Sequence, residues 1–293
     1  MQEDALMLEG GLVQIKASPT AGQWIRRRGE DVARGAVVLR RGQRLSPAEL
    51  GLAASIGFDR LPVARRVRVA LLSTGDELVM PGQVAPEAMP PGAIYNSNRL
   101  FLRSLLLRLG CEVSDLGIVP DDRQATVQAL GQAAQAHDLI LTSGGVSVGE
   151  EDHIKPAVQA LGDLPQPGKP FAYGRIHQDQ GHTHFIGLPG NPVSSFVTFL
   201  LLVRPFVLRL QGGQGHRPAP LMLPAHFDWP KPDKRREFLR VRRNAEGGLD
   251  LFANQSPGVL TSAVWADGLL DVAPGQRIAR GDLLPFIPLS ELL

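Results

Sequence analysis

Apolar and polar positions divide the chain near residue 66. Before it, apolar runs are short and interrupted by Gly and Arg. Residues 35–45, "GAVVLRRGQRL", lack helical spacing and predict β structure with a turn. Residues 46–57, "SPAELGLAASIG", predict a short helix. Ser46 caps it, Pro47 starts its first turn, Glu49 completes a capping box and Gly57 stops it. After residue 66 the pattern alternates in type. Residues 67–73, 111–119 and 138–143 read as strands, the first and last of them buried runs. Residues 98–110 carry an amphipathic helical pattern ending at Gly110, and 122–137 and 153–162 read as further helices. A β segment at 183–190 leads into a helix at 191–210, with Asn191 as its cap and Pro192 at its first position. Pro205 lies inside that helix and predicts a kink or break near Arg204.

Strand–helix alternation of this kind predicts an α/β fold: a three-layer α/β/α domain around a mostly parallel sheet. Residues 212–220, "GGQGHRPAP", form a linker by composition. Short apolar runs without helical period follow, "LMLPAHF", "REFLRVRR", "LDLFANQ" and "DLLPFIPL", and predict a small carboxyl-terminal β domain over 218–293. A partial β/α region precedes the main domain.

Composition removes several function classes. The chain has 293 residues, 43% of them hydrophobic and 20% charged, with a net charge of +2. That is an ordinary globular balance. Basic clusters at Arg26, Arg27 and Arg28, and at Arg65, Arg66 and Arg68, read as solvated faces rather than a grip on nucleic acid. Cys111 is the only cysteine, so neither a disulfide framework nor a cysteine zinc site is available. The longest apolar run, 196–203 with Thr198 allowed inside it, is far shorter than the ~20 residues of a membrane span. Acidic residues occupy the amino terminus where a signal peptide is basic, so the expected location is cytoplasmic, away from membranes.

Four polar turns follow strand ends: "STGDEL" (73–78), "PDD" (120–122), "TSGGVSVGEED" (142–152) and "GLPGNPVSS" (187–195). Open α/β sheets bind ligands at this rim. Gly144 and Gly145 allow close backbone approach to an anion, and Ser143 and Ser147 add hydroxyl donors. The competing reading of Gly-Gly is a plain turn, and that of Asn191 a plain helix cap. Glu77, Asp121 and Asp152 lie on three separate loops of the rim. Carboxylates beside a phosphate cradle repel it unless a hard cation such as Mg²⁺ sits between them. Each acid alone also reads as a helix cap.

The ordered set "RRRGED" (26–31), "STGDEL", "IYNSNR" (94–99), "SGGVSVGEED", "PGKP" (167–170), "GLPGNPVSS" and "WADGL" (265–269) resembles the molybdopterin molybdenumtransferase family, relatives of gephyrin's enzymatic domain. Its motifs span nearly the whole chain. The adenylyltransferases of the same cofactor share the Gly-Gly loop but lack this form of "PGNPVS" and the last β domain. The resemblance implies cleavage of adenylylated molybdopterin, insertion of molybdate at the dithiolene and release of AMP, assisted by Mg²⁺. It implies Glu77, Asp121 and Asp152 as the essential acids, with Asp121 and Asp152 on the metal, and Asp31 as the acid of "RGED". Thr74, Asp76, Asn98, Ser143, Gly144, Gly145, Ser147, Lys169, Pro189, Gly190, Asn191, Pro192 and Ser194 are implied substrate-binding positions. Arg240 and Ser262 are implied near the molybdenum oxyanion.

The resemblance also implies a homodimer in which one chain's β domain faces its partner's rim, and a molybdopterin adenylyltransferase as a candidate partner. Relatives carry a longer amino-terminal region. Residues 1–31 are therefore expected to be a remnant of an elongated second domain, 32–65 a segment of an amino-terminal β/α domain, 66–215 the molybdopterin-binding domain and 218–293 the carboxyl-terminal domain. Residues 160–170 leave little room for the strand that relatives place before "PGKP". A non-catalytic module that binds molybdopterin or nucleotide is the alternative to a working enzyme.

Overall fold

The computed structural model describes residues 2–18, 20–145, 153–167, 171–213 and 218–293. The chain forms two compact units, Met1–Leu61 and Pro62–Leu293. In the first, β1 (Ala5–Met7) pairs antiparallel with β2 (Val13–Ile15). Both strands are exposed. Helix α1 (Pro47–Ser55) starts as its sequence dictates: Ser46 Oγ accepts from Ala48 N, and the Glu49 carboxylate accepts from Ser46 N at 2.8 Å. The β expectation for 35–45 fails, because no strand forms there among the described residues. Gly35 and Gly42 adopt φ of +86° and +81° and close turns on Ala33 and Arg40. The run between those turns is too short to support a ladder.

The second unit runs in order through β3 (Arg68–Thr74), β4 (Leu78–Val79), β5 (Ile94–Tyr95), α2 (Ser97–Arg108), β6 (Glu112–Val119), α3 (Arg123–Ala136), β7 (Leu139–Ser143) and α4 (Ile154–Leu161). Strands β8 (Gly162–Pro167), β9 (Ala172–His177) and β10 (His182–Leu188) follow, then α5 (Pro192–Thr198), a π-helical segment at Phe199–Val203 and α6 (Arg204–Leu210). These build a six-stranded sheet in the order β6-β3-β7-β10-β9-β8. The first four are parallel, and β9 and β8 are antiparallel additions. Strand alternation gives the sheet two apolar faces. Val69, Leu71, Leu139, Leu141, Ile186 and Leu188 pack with α2 and the helix from α5 to α6. Ala70, Leu72, Ile140 and Phe185 pack with α3 and α4. The α/β/α layering is thus as the sequence indicates.

Two local expectations change. A strand does fit before "PGKP": β8 pairs with β9. It begins where α4 ends, without a loop. Gly162 allows this, since a Cβ there would overlap the Arg175 carbonyl. The Pro192–Leu210 helix is continuous, apolar and long enough by length and composition to cross a membrane. Its Phe199, Leu200, Val203 and Val207 are buried against the sheet, as in a core helix. The break expected near Arg204 does not form; the irregularity is a π-helical segment at Phe199–Val203, immediately before Arg204 and Pro205.

The chain ends in β11 (Leu221–Pro224), β12 (Glu237–Arg243), β13 (Leu249–Leu251), α7 (Thr261–Trp265), β14 (Gly268–Val272), β15 (Leu283–Pro288) and α8 (Leu289–Leu292). The five strands form an antiparallel sheet ordered β11-β15-β14-β12-β13. One face holds its own core of Leu239, Val241, Leu270, Val272 and Phe286. From the other face Leu269, with Leu289 and Leu292 of α8, joins the apolar layer under α2 and α5. Arg204 Nη2 donates to Glu291 O at 2.9 Å across this junction.

Candidate active site

The carboxyl ends of the four parallel strands bring the polar turns together. Gly144 N donates to Leu188 O at 3.0 Å, joining the turn after β7 to the end of β10. Gly144 and Gly145 have φ of +89° and +64°, a region that favours glycine. Each also lies against β3: a Cβ on Gly144 would sit 3.2 Å from Thr74 O, and one on Gly145 2.6 Å from Thr74 Oγ1. Gly190 abuts Gly144, with Gly144 Cα 3.9 Å from where its Cβ would be. Asn98 Nδ2, from the first turn of α2, donates to Gly190 O at 2.7 Å. Gly144 is required by close backbone approach as well as by its φ, and Gly145 by its φ and by the side chains of Thr74 and Ile154, whereas Gly190 makes an ordinary contact. Asn191 occupies the cap position of α5 without a side-chain cap bond, and Ser195 N donates to its carbonyl instead.

The acids divide. Asp76 N donates to Asp121 Oδ2 and Asp121 N to Asp76 Oδ1, both at 3.2 Å, so the turns after β3 and β6 clasp each other. Asp122, not Asp121, caps α3, accepting from Ala125 N at 2.7 Å. That removes the cap explanation for Asp121. Glu77 folds back over Gly75, where a Cβ would lie 2.7 Å from its carboxyl carbon. Among the described residues no three His, Cys, Asp or Glu side chains cluster as a metal site. Ser147, Asp152 and Lys169 lie outside the described residues.

Arg240 faces away from its own domain's core. It pairs in register with Leu269 and is only 6% exposed. Its Nε donates to Ser262 Oγ at 3.0 Å, and Nη1 and Nη2 reach Phe238 O and Ser256 O. Burial lowers its pKa, opposed by Glu237. The next residue, Pro257, accepts from Val193 N at 2.9 Å. Arg240 and Ser262 therefore connect through 256–257 to the 189–194 turn of the same chain.

Comparison with known proteins agrees with this fold. Residues 70–209 match a family model described as "Probable molybdopterin binding domain". Residues 1–57 match "MoeA N-terminal region (domain I and II)", and 222–289 match "MoeA C-terminal region (domain IV)". The chain is 42% identical over 305 aligned positions to a molybdopterin molybdenumtransferase of Haemophilus influenzae, covering 100% of this chain and 74% of that protein. This chain belongs to the molybdopterin molybdenumtransferase family. A Synechococcus elongatus relative of the same name is 36% identical, with 89% of this chain and 65% of the relative covered. The crystal structure of a molybdopterin biosynthesis moeA protein from Pyrococcus horikoshii superposes with a TM-score of 0.75 at 25% identity, covering 98% of this chain and 70% of that one. Membership makes this a transferase of molybdenum cofactor biosynthesis, acting on a small-molecule molybdopterin substrate.

In this family member the rim also holds four residues that sequence reasoning missed, Ser73, Asn96, Thr142 and Ser195, beside Asn98, which it had singled out. Ser73 Oγ, Asn96 Nδ2, Asn98 Oδ1, Thr142 Oγ1 and Ser195 Oγ are buried and lack hydrogen-bond partners among the described residues. All five lie at the ends of β3 and β7, at the cap or first turn of α2, or in the first turn of α5. Ser73 continues the Val69–Leu71 alternation, while Asn98 and Ser195 stand one helical turn above Leu102 and Phe199 of the core. A polar residue closing a buried apolar run was the available signal. Asp138 lies at the opposite end of β7. Burial raises its pKa, but bonds from Arg65 and Arg68 outweigh that and hold it well below the carboxylate range. It staples strand starts and takes no part in the rim.

Proposed function

We propose that this chain binds adenylylated molybdopterin at the rim, inserts molybdate at the dithiolene and releases AMP. The observation that carries the reading is the closure of four strand-end turns into one cradle. Gly144 bonds to Leu188, Gly190 packs on Gly144, Asn98 holds Gly190, and Asp76 and Asp121 clasp each other. Thr74, Ser143, Gly144, Gly145 and Ser147, with Pro189, Gly190, Asn191, Pro192 and Ser194, would position the phosphate and pterin groups. Lys169 would meet an oxyanion as a point charge. Arg240 and Ser262 would set the 189–194 turn through Pro257. Glu77 and Asp76 complete the acidic wall.

The carboxylate donors suit Mg²⁺, which takes one or two protein carboxylates and completes its shell with phosphate and water. Asp121 and Asp152 would hold it, and when bound it would offset phosphate charge. A homodimer, supply of substrate by a molybdopterin adenylyltransferase and a cytoplasmic setting belong to the same reading. The test is to incubate the chain with adenylylated molybdopterin, molybdate and Mg²⁺ and to measure AMP release. Release that needs molybdate and stops on chelation supports the reading, whereas tight binding without release makes the chain a binding module. Asp152→Asn should abolish most AMP release while leaving thermal unfolding nearly unchanged, because it alters charge and keeps shape. A melting drop of many degrees with unchanged release per folded molecule would make Asp152 a helix cap.

A further inference from the structure

Near the starting end of β10, opposite the rim, the main sheet carries a cluster of imidazole and aromatic rings. Strand alternation puts Tyr173, Arg175 and His177 of β9 and His182 and His184 of β10 on one face. His184 is in register with Leu139, and Tyr173 and Phe206 of α6 pack on the same apolar layer. The rings of His182 and His184 have their centres 4.7 Å apart at an interplanar angle of 86°. With metal–nitrogen bonds of about 2.0–2.1 Å, two imidazoles bound to one ion at right or tetrahedral angles have centres roughly 4.5–5.2 Å apart. His184 is held by its neighbours. Tyr173 Oη lies 3.0 Å from its Nδ1, the Tyr173 ring stacks on it at 6.0 Å, and Phe206 meets it in a T-shaped contact at 5.0 Å. With Tyr173 on Nδ1, Nε2 is left as the ligand nitrogen. Burial, then the neighbouring His182 and Arg175, lower the His184 pKa against an opposing effect of Asp138, which favours the neutral ring that metals bind. His177, directly opposite His182, pairs with Asp163 at 3.1 Å. Arg175 stands directly opposite His184 and is exposed.

We propose that His182 and His184 form a binding site for a borderline divalent transition-metal ion, with their two imidazoles as the protein ligands and water filling the other positions. The ion class follows from the donors. Neutral imidazole suits Cu²⁺, Ni²⁺ and Zn²⁺, whereas hard Mg²⁺ prefers oxygen. Among the described residues no third His, Cys, Asp or Glu side chain completes a cluster, so the clamp is a two-ligand site of moderate strength. Cu²⁺ binds it more tightly than Ni²⁺ or Zn²⁺, by the ordinary order of divalent affinities. Tyr173 is a positioning residue: its hydroxyl accepts from Nδ1–H of His184, fixing the ring and raising the basicity of Nε2. Arg175 opposes the ion as a like charge on an exposed side chain. The site is separate from the rim and independent of the chemistry proposed there.

Calorimetric titration of the full chain with Cu²⁺, in excess Mg²⁺ to occupy oxygen sites, tests this. His182→Ala and His184→Gln should each weaken the tightest binding at least about tenfold, the scale of 1.4 kcal/mol. His182 is exposed, so His182→Ala keeps the test available if His184→Gln is poorly folded. Tyr173→Phe keeps the ring, removes the hydroxyl and should weaken binding about tenfold, the lower end of what such orienting groups contribute. Arg175→Ser should strengthen it roughly twofold to fivefold, the size of one exposed charge interaction. His177→Ala should bind as wild type does. Electron paramagnetic resonance of the copper-loaded wild type should show splitting from two nitrogens. Equal Cu²⁺ affinity in wild type, His182→Ala and His184→Gln places the ion on other groups and overturns the proposal. A loss in His177→Ala as large as in His182→Ala overturns the two-ligand assignment, and so does a copper signal without nitrogen splitting.

Discussion

At the scale of single residues, Gly145 and Asp138 make opposite predictions. Gly145 combines a positive φ with walls on two sides, since an added Cβ would lie 2.6 Å from Thr74 Oγ1 and 2.7 Å from Ile154 Cγ1. Gly145→Ala should lower stability by about 1–3 kcal/mol through overpacking and backbone strain, and AMP affinity should fall with it. Denaturant melts paired with AMP titration check both, and an unchanged pair of values would remove the cradle argument. Asp138 sits away from the rim and answers to pH. Its folded pKa is depressed, so its stabilisation is fully present above the unfolded carboxylate value of about 3.9 and is lost as pH falls below it. Asp138→Asn should therefore destabilise clearly at pH 6 and progressively less toward pH 3. Urea unfolding at both values decides it, and an equal loss at each would mean that charge contributes nothing there.

At the scale of elements, Gly162 shows how a helix and a strand can join without a loop. Its extended backbone passes so close to β9 that a Cβ would overlap the Arg175 carbonyl. Gly162→Ala should cost about 1–3 kcal/mol or more and loosen β8 from the sheet. Hydrogen exchange at β8 and β9 amides would show faster exchange there and little change at β3 or β7. Uniform exchange across the sheet would mean that β8 is not held by this approach. Residues 160–170 are too few for a loop and a strand together, and the strand forms because Gly162 lets α4 pass directly into β8. The helix from Pro192 to Leu210 was legible from its cap position, its apolar run and Pro205. Its burial was not, because an apolar run reads alike in a membrane and in a core. Residues 35–45 failed in the opposite direction: β propensity was present, and the turns at Gly35 and Gly42 left no usable ladder.

At the scale of the whole molecule, the carboxyl-terminal sheet is structurally continuous with the α/β core. Leu269, Leu289 and Leu292 share the apolar layer under α2 and α5, and Val193 bonds to Pro257. Removing residues 214–293 should expose that layer, and the shortened chain should aggregate or bind a hydrophobic dye. A soluble, cooperatively folded fragment would show the two parts to be independent. The homodimer proposal is tested by sedimentation at micromolar concentration, where a strict monomer would rule out a site shared between subunits. If a dimer forms, mixing Arg240→Ala and Asp152→Asn chains asks whether the two residues serve one site across the interface. Arg240 is tied through Ser256 and Pro257 to its own chain's rim turn. Action within one chain predicts no recovery of activity in the mixed dimers.

Sequence by itself determined the alternation of strands and helices, the rim on which the polar turns lie and the family to which their order points. These are local properties: hydrophobic period, cap residues and Gly-Pro punctuation act over a few neighbours and can be read in one dimension. Only the tertiary structure decided which turns touch. Asp76 and Asp121 are distant in sequence, as are Asn98 and Gly190, and their bonds depend on strand order and register. The sequence marks Ser73, Thr142 and Ser195 only as polar residues beside apolar runs; that their hydroxyls are buried without partners among the described residues was decided by packing. Burial and concavity are properties of a packed surface, and they exist only after distant segments have met.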